Sequence, residues 1–209
     1  MPRAPCSPAA FAAHWPPKPY ESPSMALKAT IFKAQLTVSD TDRGYYVTHA
    51  LTIARHPSET DERMMVRLLA FALHASDSLQ FTAGLSTDDE PDLWEKSPTN
   101  EIDLWIDVGL PDERRLRKAC GRARQVVVYA YGGNKADIWW SRVGPALGRF
   151  DNLSVFQLPR AATSDLATLS ERGMSIACMI SDGSIWLNDR TSNICVEPAA
   201  WMNARPGKQ

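Results

Sequence analysis

The segment 101–131, "EIDLWIDVGLPDERRLRKACGRARQVVVYAY", constrains the fold more than any other part of the chain. It alternates apolar and polar residues over 101–108, continues with a helical pattern, and ends in the continuous apolar run "QVVVYAY". An alternating strand is buried on one face, whereas a continuous apolar strand is covered on both faces. The order strand, helix, strand therefore predicts an α/β domain.

The flanking segments extend this pattern. "LKATIFKAQLTVSD" and "GYYVTHALTIARH" alternate and predict an antiparallel pair, and Asp182-Gly183 predicts a second hairpin near the other end of the chain. A helix is predicted at 58–75, where Ser58 and Asp61 resemble a capping box. Pro91 is expected to open a helical turn. The overall prediction is a mixed β-sheet flanked by helices, with hairpins at both ends.

Further elements follow after residue 100. Helices are predicted in "LPDERRLRKACGRA", "NKADIWWSRVGPAL" and "TSDLATLSERG", and a strand in "NLSVFQL". The tail from Pro198 is expected to be irregular. Residues 1–24 are proline-rich and lack periodicity, so they are predicted to be an unstructured extension without function. Residues 25–209 are predicted to form a single domain.

Composition limits the function classes. Hydrophobic residues make up 44% and charged residues 22%, which is typical of a globular protein. The net charge of -1 indicates no general electrostatic grip on nucleic acid, although a local basic patch is compatible with it. The cysteines at 6, 120, 178 and 195 form no CxxC motif, which favours a reducing, cytoplasmic location. No apolar run approaches the roughly 18 residues of a membrane span.

The strand at 101–108 carries acids on one side only: Glu101, Asp103 and Asp107. Asp103 and Asp107 lie about 13 Å apart along a strand, so they cannot hold the same magnesium ion, which binds oxygens at about 2 Å. Asp107 is the better metal candidate because it lies at the carboxyl end of the strand, where sites in α/β sheets tend to form.

Carboxylates from other segments would have to complete such a site. The available residues are Glu62 on the first helix and an acidic loop that contains Asp88, Asp89, Glu90 and Asp92. The alternative is that the strand acids form a solvated face and that "DDEPD" is a surface loop. From the residues alone, this plainer alternative is favoured.

The helix after the strand is strongly basic. Helical spacing places Arg114, Lys118 and Arg122 on one side, where they could lie beside a phosphate near the carboxylates. The alternative is an amphipathic helix with a charged outer face.

Several blocks of the chain resemble the bacterial YaeQ family: "MALKATIFKAQLTV", "LTIARHPSETDERMMVRLLAFAL", "STDDEPDLW", "IDLWIDVGLPDERRLRKA", "IWW" and "NLSV". The resemblance covers residues 25–203. It implies a PD-(D/E)xK nuclease-like core, with a first helix at 58–75, Asp107 on the third strand, a second helix at 112–123 and "QVVVYAY" as the fourth strand.

The same resemblance implies a candidate site. Asp107 matches the acid of the (D/E)xK element, but Gly109 stands in place of its lysine, so Lys118 or Arg115 on the second helix would supply the cation. Pro91-Asp92 matches the proline–aspartate element, and Asp89 is an equal candidate. With Glu62, these acids would bind Mg²⁺ and support hydrolysis of phosphodiesters in nucleic acid.

The departure at Gly109 keeps other functions open. The main alternative is a non-catalytic protein on a degenerate nuclease fold that binds nucleic acid or a protein partner. A further alternative is a metabolic binding protein that only shares the scaffold. Fold alone does not decide between them.

Overall fold

Two β-sheets organise the chain in a computed structural model that describes residues 29–82 and 89–205. Sheet A has the strand order β10-β9-β8-β1-β2 and sheet B the order β11-β7-β6-β5-β4-β3. Sheet A contains β1 (Thr30–Asp40), β2 (Tyr45–Arg55), β8 (Gly173–Ser181), β9 (Ser184–Asn188) and β10 (Asn193–Val196). Sheet B contains β3 (Leu79–Phe81), β4 (Leu93–Lys96), β5 (Ile102–Val108), β6 (Ala123–Ala130), β7 (Leu153–Gln157) and β11 (Ala199–Met202). The helices are α1 (Asp61–Leu73), α2 (Glu113–Cys120), α3 (Asn134–Leu147) and α4 (Arg160–Ala167).

The apolar core lies in two layers, one on each face of sheet B. The larger layer joins inner residues of sheet A, such as Leu36, to Leu68 of α1, Leu166 of α4 and Ile106 of sheet B. The smaller layer packs α2 and α3 against the opposite face of sheet B. Strand β6 contributes residues to both layers, which confirms the prediction of a central strand covered on both faces.

The α/β class, the mixed strand directions and both predicted hairpins are confirmed, but the strands form two mixed sheets rather than one. The two hairpins belong to the same separate sheet, because β1 pairs in parallel with β8 from Lys33–Gly173 to Asp40–Ile180. Sheet B is mixed as well: β5, β6 and β7 are parallel, whereas β3, β4 and β11 run antiparallel to their neighbours. A pairing between strands this distant in the sequence leaves no local pattern.

Some boundaries differ from the prediction. Thr60, rather than Ser58, caps α1, because its side chain accepts a hydrogen bond from the backbone N–H of Arg63. Pro91 opens no helical turn, since it precedes strand β4 by two residues. The tail is not irregular over 199–202, where β11 pairs with β7.

Two predictions lie outside the described residues: the extension at 1–24 and the placement of Asp88. Among the helices of the described segments, none has the length and apolar character to cross a membrane.

Candidate functional site

A cleft of about 870 Å³ lies where the parallel strands of sheet B end. Val108 near the end of β5 pairs with Tyr129 on β6, and Ala130 at the end of β6 pairs with Gln157 on β7. The three strands therefore end at the same edge of the sheet. Each strand then leads into one of the helices α2, α3 and α4. The carboxyl edge of a parallel sheet is the usual location of a ligand site in α/β proteins.

The turn between β6 and α3 shapes one wall of the cleft. Gly132 has φ +110° and Gly133, which immediately precedes α3, has φ +60°. A Cβ atom on Gly133 would lie 3.1 Å from Cδ of Arg160, the first residue of α4. Glycine therefore permits both the backbone conformation and the close approach of the Arg160 side chain to the start of α3.

Charged side chains dominate the polar lining of the cleft. They are Glu62, Arg63, Asp107, Arg115, Lys135 and Arg160. Arg63 and Arg115 are ion-paired. Lys135 and Arg160 are exposed and form no ion pair with the described part of the chain. The cleft thus presents two cations that are available to an anionic ligand.

The helix starts reinforce this positive character. Neither α3 nor α4 has a side-chain hydrogen bond at its N-cap. The first-turn amides of a helix lack intrahelical acceptors and carry a partial positive charge. Lys135 and Arg160 stand in the first turns of α3 and α4, so side-chain and backbone charge of the same sign coincide at the cleft.

Asp107 is buried at this edge and is paired with Arg115. Nη2 of Arg115 donates to Oδ1 at 2.8 Å, and Nε donates to Oδ2 at 3.0 Å. Burial raises the pKa of the Asp107 carboxyl, Arg115 opposes that rise, and the charge of Asp92 adds to it. Arg115 also donates to the carbonyl of Glu90 at 2.7 Å, which anchors the segment that leads to Asp92.

Of the two alternatives Asp89 and Asp92, the structure places Asp92 next to Asp107. Asp92 precedes Leu93, which pairs with Ile106 on the neighbouring strand. Its Oδ1 accepts from Nη2 of Arg63 at 2.7 Å, and its Oδ2 accepts from the backbone N–H of Val108 at 2.8 Å. Asp92 is therefore buried and engaged through both oxygens.

Asp89 and Lys118 lie outside the cleft. They form an ion pair with each other, in which the side chains of Lys118 and Asp89 are 44% and 73% exposed. The carbonyl of Asp89 accepts from Arg122 at 2.9 Å. Of the two cations predicted from the second helix, the structure brings Arg115, and not Lys118, to Asp107.

Glu62 borders the cleft from α1. Its Oε1 accepts a hydrogen bond from the hydroxyl of Thr163 on α4 at 2.7 Å. Nearby, burial raises the pKa of the Tyr131 phenol to about 12. Tyr131 is thus a neutral hydrogen-bond donor at physiological pH.

The other two acids of this strand, Glu101 and Asp103, agree with the alternative of a solvated face. Nη2 of Arg124 donates to Glu101 at 2.6 Å, and Nε of the same arginine lies 3.2 Å from Asp103. Glu101 is exposed and Asp103 is half-buried. These two acids belong to a charged outer surface, whereas Asp107 lies inside the cleft.

The carboxylates as arranged do not fit a magnesium ion. Across residues 29–82 and 89–205, no group of three or more histidine, cysteine, aspartate or glutamate residues could hold a metal ion. Both oxygens of Asp107 and both of Asp92 already accept hydrogen bonds from the protein. A metal ion would have to compete with Arg115 or Arg63 for its carboxylate.

Sequence reasoning missed a buried network beside the cleft. Oε1 of Glu59 accepts from Arg63 at 2.9 Å and from the fully buried Arg67 at 3.2 Å. Arg63 joins this network to Asp92. The available signal was the pair of arginines four residues apart in the otherwise apolar run "RMMVRLLAFAL". No motif could have indicated Lys135 and Arg160.

Comparison with known proteins identifies the family. The family model described as "YaeQ protein" matches residues 25–198. The chain belongs to the YaeQ family. It is 48% identical over 178 residues to the uncharacterised YaeQ protein of Salmonella typhi, which covers 85% of this chain and 98% of that protein. The YaeQ protein of Escherichia coli K12 is 47% identical with the same coverage.

Solved structures of the YaeQ family agree. The crystal structure of the YaeQ protein from Xanthomonas axonopodis pv. citri matches with a TM-score of 0.81 and 50% identity, over 85% of this chain and 99% of that chain. The YaeQ structure from Pseudomonas syringae matches with a TM-score of 0.81 and 38% identity, over 85% and 98%.

Proposed function

We propose that the chain binds the phosphodiester backbone of nucleic acid in the cleft at the carboxyl edge of sheet B. The observation that carries this proposal is the convergence of Lys135 and Arg160, two exposed cations without ion pairs among the described residues, at two helix starts. Phosphate oxygens are satisfied by such amides and by lysine and arginine side chains.

The rest of the cleft suits the same ligand. Its volume of about 870 Å³ exceeds what a single phosphate requires, so a stretch of backbone with its sugars has room. The two acids that border it, Glu62 and Asp107, are each engaged with a donor from the protein. The net charge of -1 confines this binding to a local patch rather than the whole surface.

Fluorescence anisotropy tests this proposal with labelled single-stranded and duplex DNA and RNA, in EDTA, over a series of salt concentrations. Lys135→Ala and Arg160→Ala should each weaken binding about three- to tenfold and reduce the salt dependence of log Kd by about one. Removal of a phosphate contact should act similarly on all base sequences, because such contacts carry no sequence information.

Lys118→Ala and Arg172→Ala are the matched controls. Both residues are exposed and lie outside the cleft. Their removal should leave Kd within about twofold of the wild-type value. Equal losses from the cleft variants and the controls, or no binding to any of the four nucleic acids, would rule the proposal out.

A second candidate function is Mg²⁺-dependent hydrolysis of phosphodiesters, which the resemblance to the PD-(D/E)xK superfamily implies. The observation that favours it is the position of Asp92, immediately before β4, beside Asp107 on the neighbouring strand β5, close enough for the charge of Asp92 to raise the pKa of Asp107. In this function the metal would compete with Arg115 for the oxygens of Asp107.

Metal titration separates the two functions. If hydrolysis is the function, the wild-type protein should bind Mg²⁺ or Mn²⁺ by calorimetry, and cleavage should disappear in Asp107→Asn. The control is Asp103→Asn, because Asp103 belongs to the outer surface. Nucleic acid that binds in EDTA and stays intact in Mg²⁺ would leave binding alone as the function.

We also propose that the protein is located in the cytoplasm. Cys120, Cys178 and Cys195 are free thiols. Burial raises the pKa of Cys120 to about 11 and that of Cys178 to about 12. Both side chains therefore stay protonated at physiological pH, and a protonated thiol is a poor nucleophile. Free cysteines are compatible with a reducing compartment. Cell fractionation with a specific antibody tests this, and recovery with secreted proteins would contradict it.

A further inference from the structure

The outer face of sheet A is uncovered by the described residues and nearly free of charge. Its outward residues are the odd-numbered positions of β1, β8 and β10 and the even-numbered positions of β2 and β9, since their neighbours point into the core. Among these outward residues, all within the described segments, Lys33 is the only charged one. For comparison, 22% of the whole chain is charged. Depletion of charged residues is a compositional feature of the core of protein–protein interfaces.

One end of this face carries a row of large apolar side chains. Tyr46 is 63% exposed and Met179 is 44% exposed. Ser39 pairs with both of them, and Met179 pairs in turn with Trp186, so the row crosses four strands. We call Tyr46, Met179 and Trp186 the ridge.

The other end of the same face carries a groove of about 640 Å³. Small outward residues form its floor, among them Ala50 and Gly173, and a Cβ on Gly173 would meet no atom within 4 Å. Lys33 and Gln35 also line it. Gln35 precedes Ser39 by four residues on β1, so the part of the groove at Gln35 lies about 13 Å from the ridge.

We propose that this face binds the same face of a second copy of the chain in an isologous dimer. A two-fold axis requires a self-complementary surface, in which each patch contacts a different patch of the partner. An axis through the middle of the face, near the paired residues Thr37 and Ala177, places each ridge over the other copy's groove. It also brings Lys33 to the other copy's aromatic ridge, where a cation is favourable.

The size of the face agrees with a stable dimer. Five strands about 4.8 Å apart and roughly 25 Å long give about 600 Å² in plane. Side-chain relief increases this toward the roughly 800 Å² of accessible surface that each partner contributes to a standard interface. A face with one formal charge per copy also avoids strong self-repulsion.

Sedimentation velocity of the full chain over a concentration series tests the proposal. The wild-type protein should sediment as a dimer, with twice the 23.2 kDa mass of one chain. Ala177→Glu places two carboxylates near the axis, and Met179→Arg removes part of the ridge. Each should weaken dimerisation by about tenfold or more, because like charges and a buried unpaired cation are unfavourable in an interface.

Two controls are matched to these variants. Ala200→Glu changes an exposed strand alanine in sheet B, and Ile138→Arg changes a residue of α3 that is 43% exposed, close to the value for Met179. Both should remain dimeric. A monomeric wild type, or a dimer that both interface variants leave intact, would overturn the proposal.

A photo-crosslinking residue at position 177 identifies the occupant directly. Mass spectrometry should find links between two copies, to peptides from β1, β2 or β8. Links within one chain to residues 1–24 would show instead that the chain's own N-terminal segment covers this face, and would overturn the dimer.

Discussion

Arg115 holds Asp107 through two parallel hydrogen bonds, at 2.8 Å and 3.0 Å, at the edge of the cleft. A strand and the helix that follows it thus supply the two members of one ion pair. Gly109 follows Asp107 by two residues, and the cation that pairs with Asp107 comes from the first turn of α2. Asp107 is buried and Arg115 is only partly exposed, so the pair is well shielded from water.

The first prediction concerns the stability of this pair. Arg115→Ala and Asp107→Ala should each lower the free energy of unfolding by about 3 kcal/mol, because each leaves a shielded charge without its partner. The double variant should lose clearly less than the sum of the two single losses. Urea denaturation measures all three values.

Arg124→Ala provides the comparison for an exposed pair. The side chains of Arg124 and Glu101 are 69% and 60% exposed, and exposed ion pairs contribute only about 0.5 kcal/mol. If Arg115→Ala were no more destabilising than Arg124→Ala, the pair at the cleft would have no special role in stability.

The second prediction concerns Gly133. Gly133→Ala should lower the free energy of unfolding by about 1–3 kcal/mol, because a positive φ is strained for an L side chain. It should also weaken nucleic-acid binding, but by less than Arg160→Ala, since the new methyl group would displace the Arg160 side chain slightly from the start of α3 and leave its charge in the cleft. Denaturation and anisotropy on the same variant give both values.

Gly148→Ala is the control at the other end of the same helix. Gly148 has a φ of -59°, and a Cβ there would meet no atom within 4 Å. This substitution should leave binding unchanged and be neutral or slightly stabilising. A similar loss of binding in both variants would show that Gly133 does not position Arg160.

The three parallel strands of sheet B, β5, β6 and β7, could be predicted because their patterns are local, whereas β4 and β11 were missed. The run "QVVVYAY" and the acids of 101–108 suffice to indicate β6 and β5 and to single out Asp107. The choice between Asp89 and Asp92 could not be made, because "DDEPD" has no periodicity and the answer depends on β4 beginning at Leu93. The sequence of the acidic loop alone does not show at which residue the strand begins.

The second sheet and the cationic wall depend on contacts between distant segments. The pairing of β1 with β8 joins two hairpins that the sequence presents as independent units, and it places them in a sheet of their own. Lys135 and Arg160 meet only because β6 and β7 are parallel and end at the same edge. Neither residue belongs to a motif, so only the topology brings them together.

The third prediction concerns Lys118, one of the two cations predicted from the second helix. Lys118→Ala should change the free energy of unfolding by less than about 1 kcal/mol, because its partner Asp89 is largely exposed. Cleavage, if the second candidate function holds, should survive in Lys118→Ala and fail in Arg115→Ala. The opposite pattern in a nuclease assay would indicate that Lys118, and not Arg115, is the catalytic cation.

The fourth prediction concerns the half-buried His74, whose Nε2 lies 2.8 Å from the hydroxyl of the buried Tyr129. Burial, with a smaller effect of Arg43, lowers the pKa of His74 from 6.5 to about 4. Between those values the unfolded chain binds a proton that the folded protein does not, so stability falls as the pH drops from 6.5 to 4. The loss should reach about 3 kcal/mol.

His74→Gln isolates this contribution, because glutamine can keep a hydrogen bond to Tyr129 and does not titrate. The raised pKa of Asp107 acts with the opposite sign, since a folded state that binds its proton more tightly gains stability as the pH falls. That effect is present in both proteins and cancels in the difference between their unfolding free energies. The difference should therefore be constant above pH 6.5 and decrease toward pH 4.

Tyr129→Phe should be less stable but keep the wild-type dependence on pH, because the histidine remains buried. Parallel curves for wild type and His74→Gln would mean that the pKa of His74 is the same in the folded and unfolded states, which would contradict the prediction.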